Sequence, residues 1–476
     1  MNDRTPKMIA VAAMAAGVLV LLLVATTRPE YFTSQRYLMG LLAAECLIAV
    51  VWLYKWAFFP VFIATFLLAG LDLPIASAGT IGRWLVLGLG AVVGTVIMLK
   101  ERRHRLSSFH ALALFSVLAG MVSAAVSRYT LQSSMKVLSL FLLFLYGATG
   151  ARLAVSGREN RFFLGLLTGC EIFVAVIAAF YLSGKEIMGN PNSLGAVMGV
   201  VAAPILLWGT LLKQEAFAHR RRVFFFAVAM YFTFSSQARA ALLAAMVSCG
   251  LLCLVLRKYG LLAQGLGIIA IVATCTAIVR PDAFSNMISS TTSAVVYKGK
   301  DSGEGIMFSR ESPWQETIEV IRDHVWFGTG FGTSDKGDVD RAQLGRFAST
   351  SALSAEHGSG YLAIVSWVGV LGVLPFLLLL GALLGKVIQT FMWAFRTRDP
   401  SYAAVPLAIV VLAGLIHTGF EDWLFAPGYY LCVFFWCMAF MLVDQVSTLG
   451  QPDWRSMFIL RNRMMHPDLR AVAPNR

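Results

Sequence analysis

Apolar runs of about 20 residues follow one another along almost the whole chain, and they constrain its fold more than any other feature. A helix rises 1.5 Å per residue, so about 20 apolar residues are needed to cross a hydrocarbon core of about 30 Å. Such runs fall near 8–27, 37–54, 56–73, 81–99, 109–126, 137–155, 162–182, 194–212, 223–238, 240–256, 260–279, 358–382, 403–420 and 425–443. Within lipid the backbone must satisfy its own polar groups, which a helix does. The sequence therefore predicts an all-α, polytopic integral membrane protein with about fourteen transmembrane helices. Composition agrees, since 14% of residues are charged against about 25% in soluble domains. The first run follows Arg4 and Lys7, exceeds a signal-peptide core and lacks a small-x-small exit, so it reads as a retained anchor.

One long polar interval breaks the pattern, and it divides the chain. Residues 1–279 hold helices one to eleven, 280–357 form a structured external loop, 358–443 hold helices twelve to fourteen, and 444–476 are a tail. Basic residues set the orientation. Lys100/Arg102/Arg103/Arg105, Arg152/Arg158/Arg161, Lys213/Arg220/Arg221/Arg222, Arg257/Lys258 and Lys386/Arg396/Arg398 fall in alternate intervals, and the tail adds Arg455, Arg461 and Arg463. The positive-inside rule makes these intervals, and both termini, cytoplasmic. The 280–357 loop is then outside, together with Asn190-Pro191-Asn192, Arg239 and Glu421-Asp422. A net charge of +13 is thereby explained by topology and does not call for nucleic acid.

All seven cysteines lie inside apolar runs, so no disulfide framework or metal-binding Cys pair is expected. Glu45 and Glu171 fall mid-run, where a neutral, hydrogen-bonded carboxyl is expected in preference to a functional one. Pro204, Pro375 and Pro406 are expected to kink their helices. No two halves resemble each other, which weakens a repeat-built transporter or flippase.

Within the long loop the sequence predicts one helix. Ser312 is a good N-cap, Pro313 suits the first helical position, and Gln315 completes a capping-box spacing. Trp314, Ile318, Ile321 and Val325 would form its apolar face. Gly328, Gly330 and Gly332 would end it, and Arg310, just before the cap, would be held over the bilayer. No strand precedes these glycines, so a dinucleotide site is rejected.

No Walker loop, HExxH, GxSxG or convincing carboxylate pair occurs. The polar residues left on the outer side are Arg239, Arg310, His357, His417, Glu421 and Asp422. Arginines and a histidine at a bilayer surface suit a polyprenyl pyrophosphate, whose tail lies in lipid and whose phosphates lie at the interface. The planar guanidinium pairs bidentately with phosphate oxygens. Blander readings stand beside this one: Arg239 as a snorkelling anchor, Arg310 paired with Glu311 or Asp301, and His357 as a helix cap. His417 and Glu421, four residues apart, are too few for a closed metal site and suit orientation of an acceptor sugar.

Several segments carry a resemblance. Ser309-Arg310-x-x-x-Trp314, His324-x-x-Phe327-Gly328-Thr329-Gly330-Phe331-Gly332 and Glu356-His357-Gly-Ser-Gly-Tyr361-Leu362 resemble the long-loop signature of the O-antigen ligase/polymerase (Wzy/WaaL) superfamily. Gly189-Asn190-Pro191-Asn192 and Ser236-Gln237-Ala238-Arg239-Ala240 are similar to further family segments. The resemblance implies an inner-membrane (plasma-membrane) enzyme of bacteria that moves an undecaprenyl-type pyrophosphate-linked glycan at the periplasmic face onto a glycan or glycolipid acceptor. It implies neither metal nor nucleotide cofactor. It would make His357 the base that activates the acceptor, and Arg239 and Arg310 the pyrophosphate ligands. Asn192, Tyr361, His417, Glu421 and Asp422 would orient the acceptor. The family pattern is His-Asn-x-Tyr-Leu, whereas His357 stands one residue further from Tyr361, so Glu356 is the alternative base. A polymerase is favoured, with a ligase acting on a lipid A-core as the alternative.

Overall fold

The computed structural model describes residues 58–71, 76–101, 106–184, 187–188, 190–212, 215–264, 308–333 and 357–446. The first two apolar runs, Glu45, most of the eleventh run, Glu356 and the tail from 447 lie outside the described residues. Among the described residues the chain is helical. The elements are α1 (Phe58–Ala69), α2 (Ala76–Glu101), α3 (Ser108–Val126), α4 (Thr130–Val155), α5 (Glu159–Leu182) and α6 (Pro191–Leu211). They continue as α7 (Ala216–Ser235), α8 (Arg239–Val255), α9 (Phe308–Asp323), α10 (Gly360–Thr397), α11 (Ala404–His417) and α12 (Tyr430–Gln445). By length and composition α2 to α6 and α10 can each cross a membrane, and α1, α8, α11 and α12 are shorter apolar helices.

Burial sorts the helices into a centre and a rim. Nearly every residue of α12 from Tyr430 to Val443 is buried, and α6 and α11 are almost as enclosed. A helix apolar all round belongs in such a centre. On the rim, Leu114, Phe115 and Leu118 of α3 and Leu374, Leu377 and Leu378 of α10 stay exposed. A water-soluble protein would not leave so continuous an apolar surface uncovered, and a bilayer is the solvent that suits it. Short connections make successive helices antiparallel, so their ends collect at two ends of the bundle. His357, at the start of α10, marks the proximal end. Arg158, Arg257 and Arg398, at the ends of α5, α8 and α10, mark the distal end.

Departures from ideal helix have local causes. In α4 a π-turn at Gly147–Ala151 brings Gly147 against the Phe440 ring of α12, where any Cβ would collide. In α6 a second π-turn, Val197–Ala202, precedes Pro204 and lets Gly199 lie against the Ala241 carbonyl of α8. Pro204 therefore acts through a π-bulge, a recognised source of kinks. Pro406 is the third residue of α11, where its missing N–H costs nothing and no kink is required. The sharp break in α10 is at Gly369 (φ 66°, ψ −177°), six residues before Pro375.

Two charge clusters bind the distal half. Arg152 pairs with Asp444 and places Nη1 3.0 Å from His110 Nε2, joining α4, α12 and α3. Glu171 lies 3.0 Å from Arg221 and 3.6 Å from Arg222. It thus meets two guanidiniums, where the sequence alone suggested a neutral, hydrogen-bonded carboxyl. Breaking a buried pair by removing one partner typically costs about 3–5 kcal/mol.

Candidate active site

The proximal end is organised by the glycine segment after α9. That helix starts at Phe308, not at the Ser312 cap, so Arg310 falls in its first turn and Pro313 lies inside it. It buries Thr317 (2% exposed) and Val320 (9%), whereas Ile318 and Val325 are each 39% exposed. The buried face is therefore rotated from the one expected, because Thr317 has a polar partner inside and lipid or interface accepts the apolar residues outside.

Beyond α9 the chain crosses α10 at its break. Val370 N donates to Val325 O at 2.8 Å and Leu371 N to Trp326 O at 3.2 Å. In return Thr329 N donates to Ser366 O at 3.0 Å and Gly330 N to Trp367 O at 3.1 Å. The hydrogen bonds that α10 gives up at Gly369 are thus replaced by a second strand of chain. Irregular backbone at membrane depth is tolerated where protein satisfies it in this way. The glycines make the approach possible. Gly328 and Gly330 have φ of 70° and 108°, and a Cβ on them would strike the Trp367 carbonyl and the Ser127 side chain. Ser127 Oγ donates to Thr329 O at 2.7 Å, Ser133 Oγ to Phe331 O at 3.1 Å, and Lys136 Nζ to Gly332 O. Phe331 is fully buried between Trp367 and Phe376. The glycines do more than terminate α9: they dock it.

His357 is 2% exposed and both ring nitrogens are engaged. Trp367 Nε1–H donates to Nε2 at 3.1 Å, so Nε2 carries the lone pair. Thr317 Oγ1 donates to Pro313 O at 2.7 Å and so accepts from His357 Nδ1–H at 3.2 Å. Partners on two different helices thereby select the neutral Nδ1–H tautomer. The His357 backbone N–H donates to Asp422 Oδ2 at 3.0 Å, and Gly358 (φ 65°) offers its carbonyl to Trp314 Nε1 at 3.1 Å.

The turn after α11 closes against the same helix start. Gly360 N bonds the Thr418 and Glu421 carbonyls at 2.9 and 3.1 Å. Tyr361 OH donates to Leu415 O at 2.7 Å, and Trp423 Nε1 to His417 Nδ1 at 2.7 Å. Glu421 lies beyond the end of α11, so it and His417 do not share a helix face as their spacing suggested. Tyr429 OH lies 3.4 Å from Ser193 Oγ. Burial raises the Tyr429 phenol above its ordinary pKa and nearby Glu421 adds to this, against the hydrogen bonds with Ser193 and Tyr430. It therefore remains a donor at neutral pH.

Through Ser193 this turn meets the start of α6. Asn190 caps that helix by accepting from Asn192 N at 2.8 Å, and Gly195 packs on Ser236 and Ala238, just before Arg239 opens α8. Gln237, with φ 54°, sets the sharp turn between α7 and α8. The structure thus joins His357, Tyr361, His417, Glu421 and Asp422 in one cluster, and Asn192 with Arg239 in an adjoining one. The helix that carries Arg310, α9, is tied to the first cluster by Thr317, which meets His357, and by Trp314, which meets Gly358. Sequence reasoning missed Thr317, Trp367, Ser127, Lys136, Ser193 and Tyr429. Only Trp367 had a usable signal, lying two residues before a glycine inside an apolar run.

A bundle of apolar helices with a buried polar cluster gathered at one end, clamped by an inserted loop, fits a multi-pass membrane protein. Residues 223–377 match the O-antigen ligase family (Wzy_C). This segment, from α7 through the first half of α10, places the resemblance in the O-antigen ligase/polymerase superfamily. No curated protein matches the chain.

Proposed function

We propose that the chain is a membrane glycosyltransferase that moves a saccharide from a polyprenyl pyrophosphate to a sugar hydroxyl, in the manner of an O-antigen or exopolysaccharide polymerase. The observation that carries this reading is that one family-matched segment holds Arg239, Arg310, His357 and Tyr361. The proximal end is assigned to the periplasmic face, because the distal end carries Arg158, Arg161, Arg220, Arg257, Lys258, Arg396 and Arg398, as the positive-inside rule requires of the cytoplasmic side.

Arg239 is the first residue of α8 and Arg310 lies in the first turn of α9. Helix N-termini favour anions, and a guanidinium there adds bidentate donors. In the reaction the acceptor oxygen bonds to the anomeric carbon while the bond from that carbon to pyrophosphate breaks. The departing lipid pyrophosphate keeps the electron pair, its charge held by the arginines. His357 Nε2 takes the acceptor proton, for which the acceptor hydroxyl displaces the Trp367 N–H. Glu356 and Asp422 are the alternative bases, Asp422 because its carboxylate already touches the His357 backbone. The reaction as drawn uses no metal or other cofactor.

Glycan analysis of a deletion strain tests the class: a polymerase loses long chains, a ligase loses attachment to the lipid A-core, and a flippase loses export of the unit. With purified donor, His357→Ala should lower transfer by about 10²–10⁴-fold at unchanged donor binding. Near-native activity in that variant, with loss in Asp422→Asn or Glu356→Gln, would reassign the base.

A further inference from the structure

A cleft of about 440 Å³ lies between α1, α5, the π-turn of α6 and α12, running from Arg158 and Arg161 at the distal end to Tyr430 at the start of α12. Along α5 its lining runs from Arg158 and Arg161 through Gly165, Gly169 and Cys170 to Phe173. From Arg161 to Phe173 a helix advances about 18 Å, and one leaflet of a hydrocarbon core about 30 Å thick is roughly 15 Å deep. The remaining walls are apolar, with Phe59, Ile63 and Val201 among them.

The cleft exists because α5 presents glycines on one face. Gly165 and Gly169 are one helical turn apart, and a Cβ built on either would meet nothing within 4 Å. Its charge is confined to the distal end. There Arg158 and Arg161 stand at the N-terminus of a 24-residue helix, so two guanidiniums and the positive end of the helix dipole act together.

We propose that this cleft binds an anionic phospholipid from the leaflet at the distal end of the bundle, one acyl chain along Gly165 and Gly169 and the phosphate against Arg158 and Arg161. Basic pockets between membrane helices hold anionic head groups through such pairs. A zwitterionic lipid would bring its own cation beside two arginines, so the site discriminates by charge. The glycine face sets the fit of the chain, and the arginines set the choice of head group. Nothing in this depends on glycosyl transfer.

The test uses the full-length protein in mild detergent and in vesicles of phosphatidylcholine with or without phosphatidylglycerol. Native mass spectrometry should find phosphatidylglycerol retained in preference to phosphatidylcholine, and the melting temperature should rise when it is supplied. Arg158→Gln with Arg161→Gln should reduce that preference at least about tenfold, a loss of about 1.4 kcal/mol or more. Gly165→Leu with Gly169→Leu should fill the cleft and abolish retention of either lipid while helicity and elution stay native. Equal retention of both lipids by the native protein would overturn the proposal. So would native-like retention in both double variants, or a polyprenyl phosphate found as the retained lipid. Cross-linking of residues 1–57 into the cleft would assign it to this chain and have the same effect.

Discussion

Replacing Gly369 by alanine tests the central joint of the proximal end. Alanine must adopt φ 66° with ψ −177° there, a region essentially confined to glycine that costs about 1–3 kcal/mol, and its Cβ would collide with the Trp326 carbonyl. The lower-energy response is for α10 to heal into a continuous helix. Val370 N and Leu371 N then bond to Ser366 O and Trp367 O, the carbonyls that now accept from Thr329 N and Gly330 N. Four bonds between segments are lost and two within the helix are gained. At about 0.5–1.5 kcal/mol each, the net loss is about 1–3 kcal/mol, and the backbone strain removed from the docked state adds to the imbalance. The docked segment should therefore be destabilised by about 2–6 kcal/mol, or more than tenfold in population. Hydrogen exchange of a peptide spanning residues 325–333 should accelerate by at least that factor, peptides from α12 should not change, and transfer activity should collapse. Native protection of 325–333 with native activity would show that the four bonds do not hold the loop.

Three further outcomes follow from the same geometry. Thr317→Val keeps the shape of the side chain but leaves His357 Nδ1–H without its acceptor, at a cost of about 1–3 kcal/mol; the pH–rate profile should shift, and an unchanged profile would remove Thr317 as the group that sets the tautomer. Ser127→Ala takes the 2.7 Å donor from the Thr329 carbonyl, leaving it Thr333 Oγ1 at 3.2 Å, and should lower stability by about 0.5–1.5 kcal/mol, read as a lower melting temperature with faster proteolysis near residue 330. Arg310→Lys replaces a planar fork by a point charge and should weaken donor binding at least tenfold, as Arg239→Ala should; native donor affinity in either would leave that arginine an interface anchor.

The helical, membrane-type character was legible because run length and apolar content are what a bilayer selects; among the described residues six helices are long and apolar enough to cross one. Observed helices differ from the runs mainly at their ends, as in α10, which continues to Thr397 where the apolar run stops near 382. The face of α9 was misread for a reason peculiar to membranes. Lipid makes an exposed Ile318 or Val325 acceptable, so apolar periodicity no longer points inward, while polar Thr317 is buried by a partner 40 residues away. The Ser312-Pro313 cap signal likewise gave way to a helix already begun at Phe308. The glycine segment was recognised as important, but its role is tertiary: residues 325–330 pair with 366–371, and no local rule links them.

That pairing explains why loop and membrane helix act as one unit. Trp367 lies two residues before the break in α10 and serves both sides of it. Its carbonyl accepts from Gly330 N at 3.1 Å and from Ser123 Oγ at 2.5 Å, while its indole N–H holds His357 Nε2 at 3.1 Å. Its ring also packs edge-on to buried Phe331. The break at Gly369 frees the Trp367 carbonyl from its helical partner; in an unbroken α10 it would be committed to Leu371 N. The glycine is therefore what lets one tryptophan hold the loop through its carbonyl and the histidine through its indole.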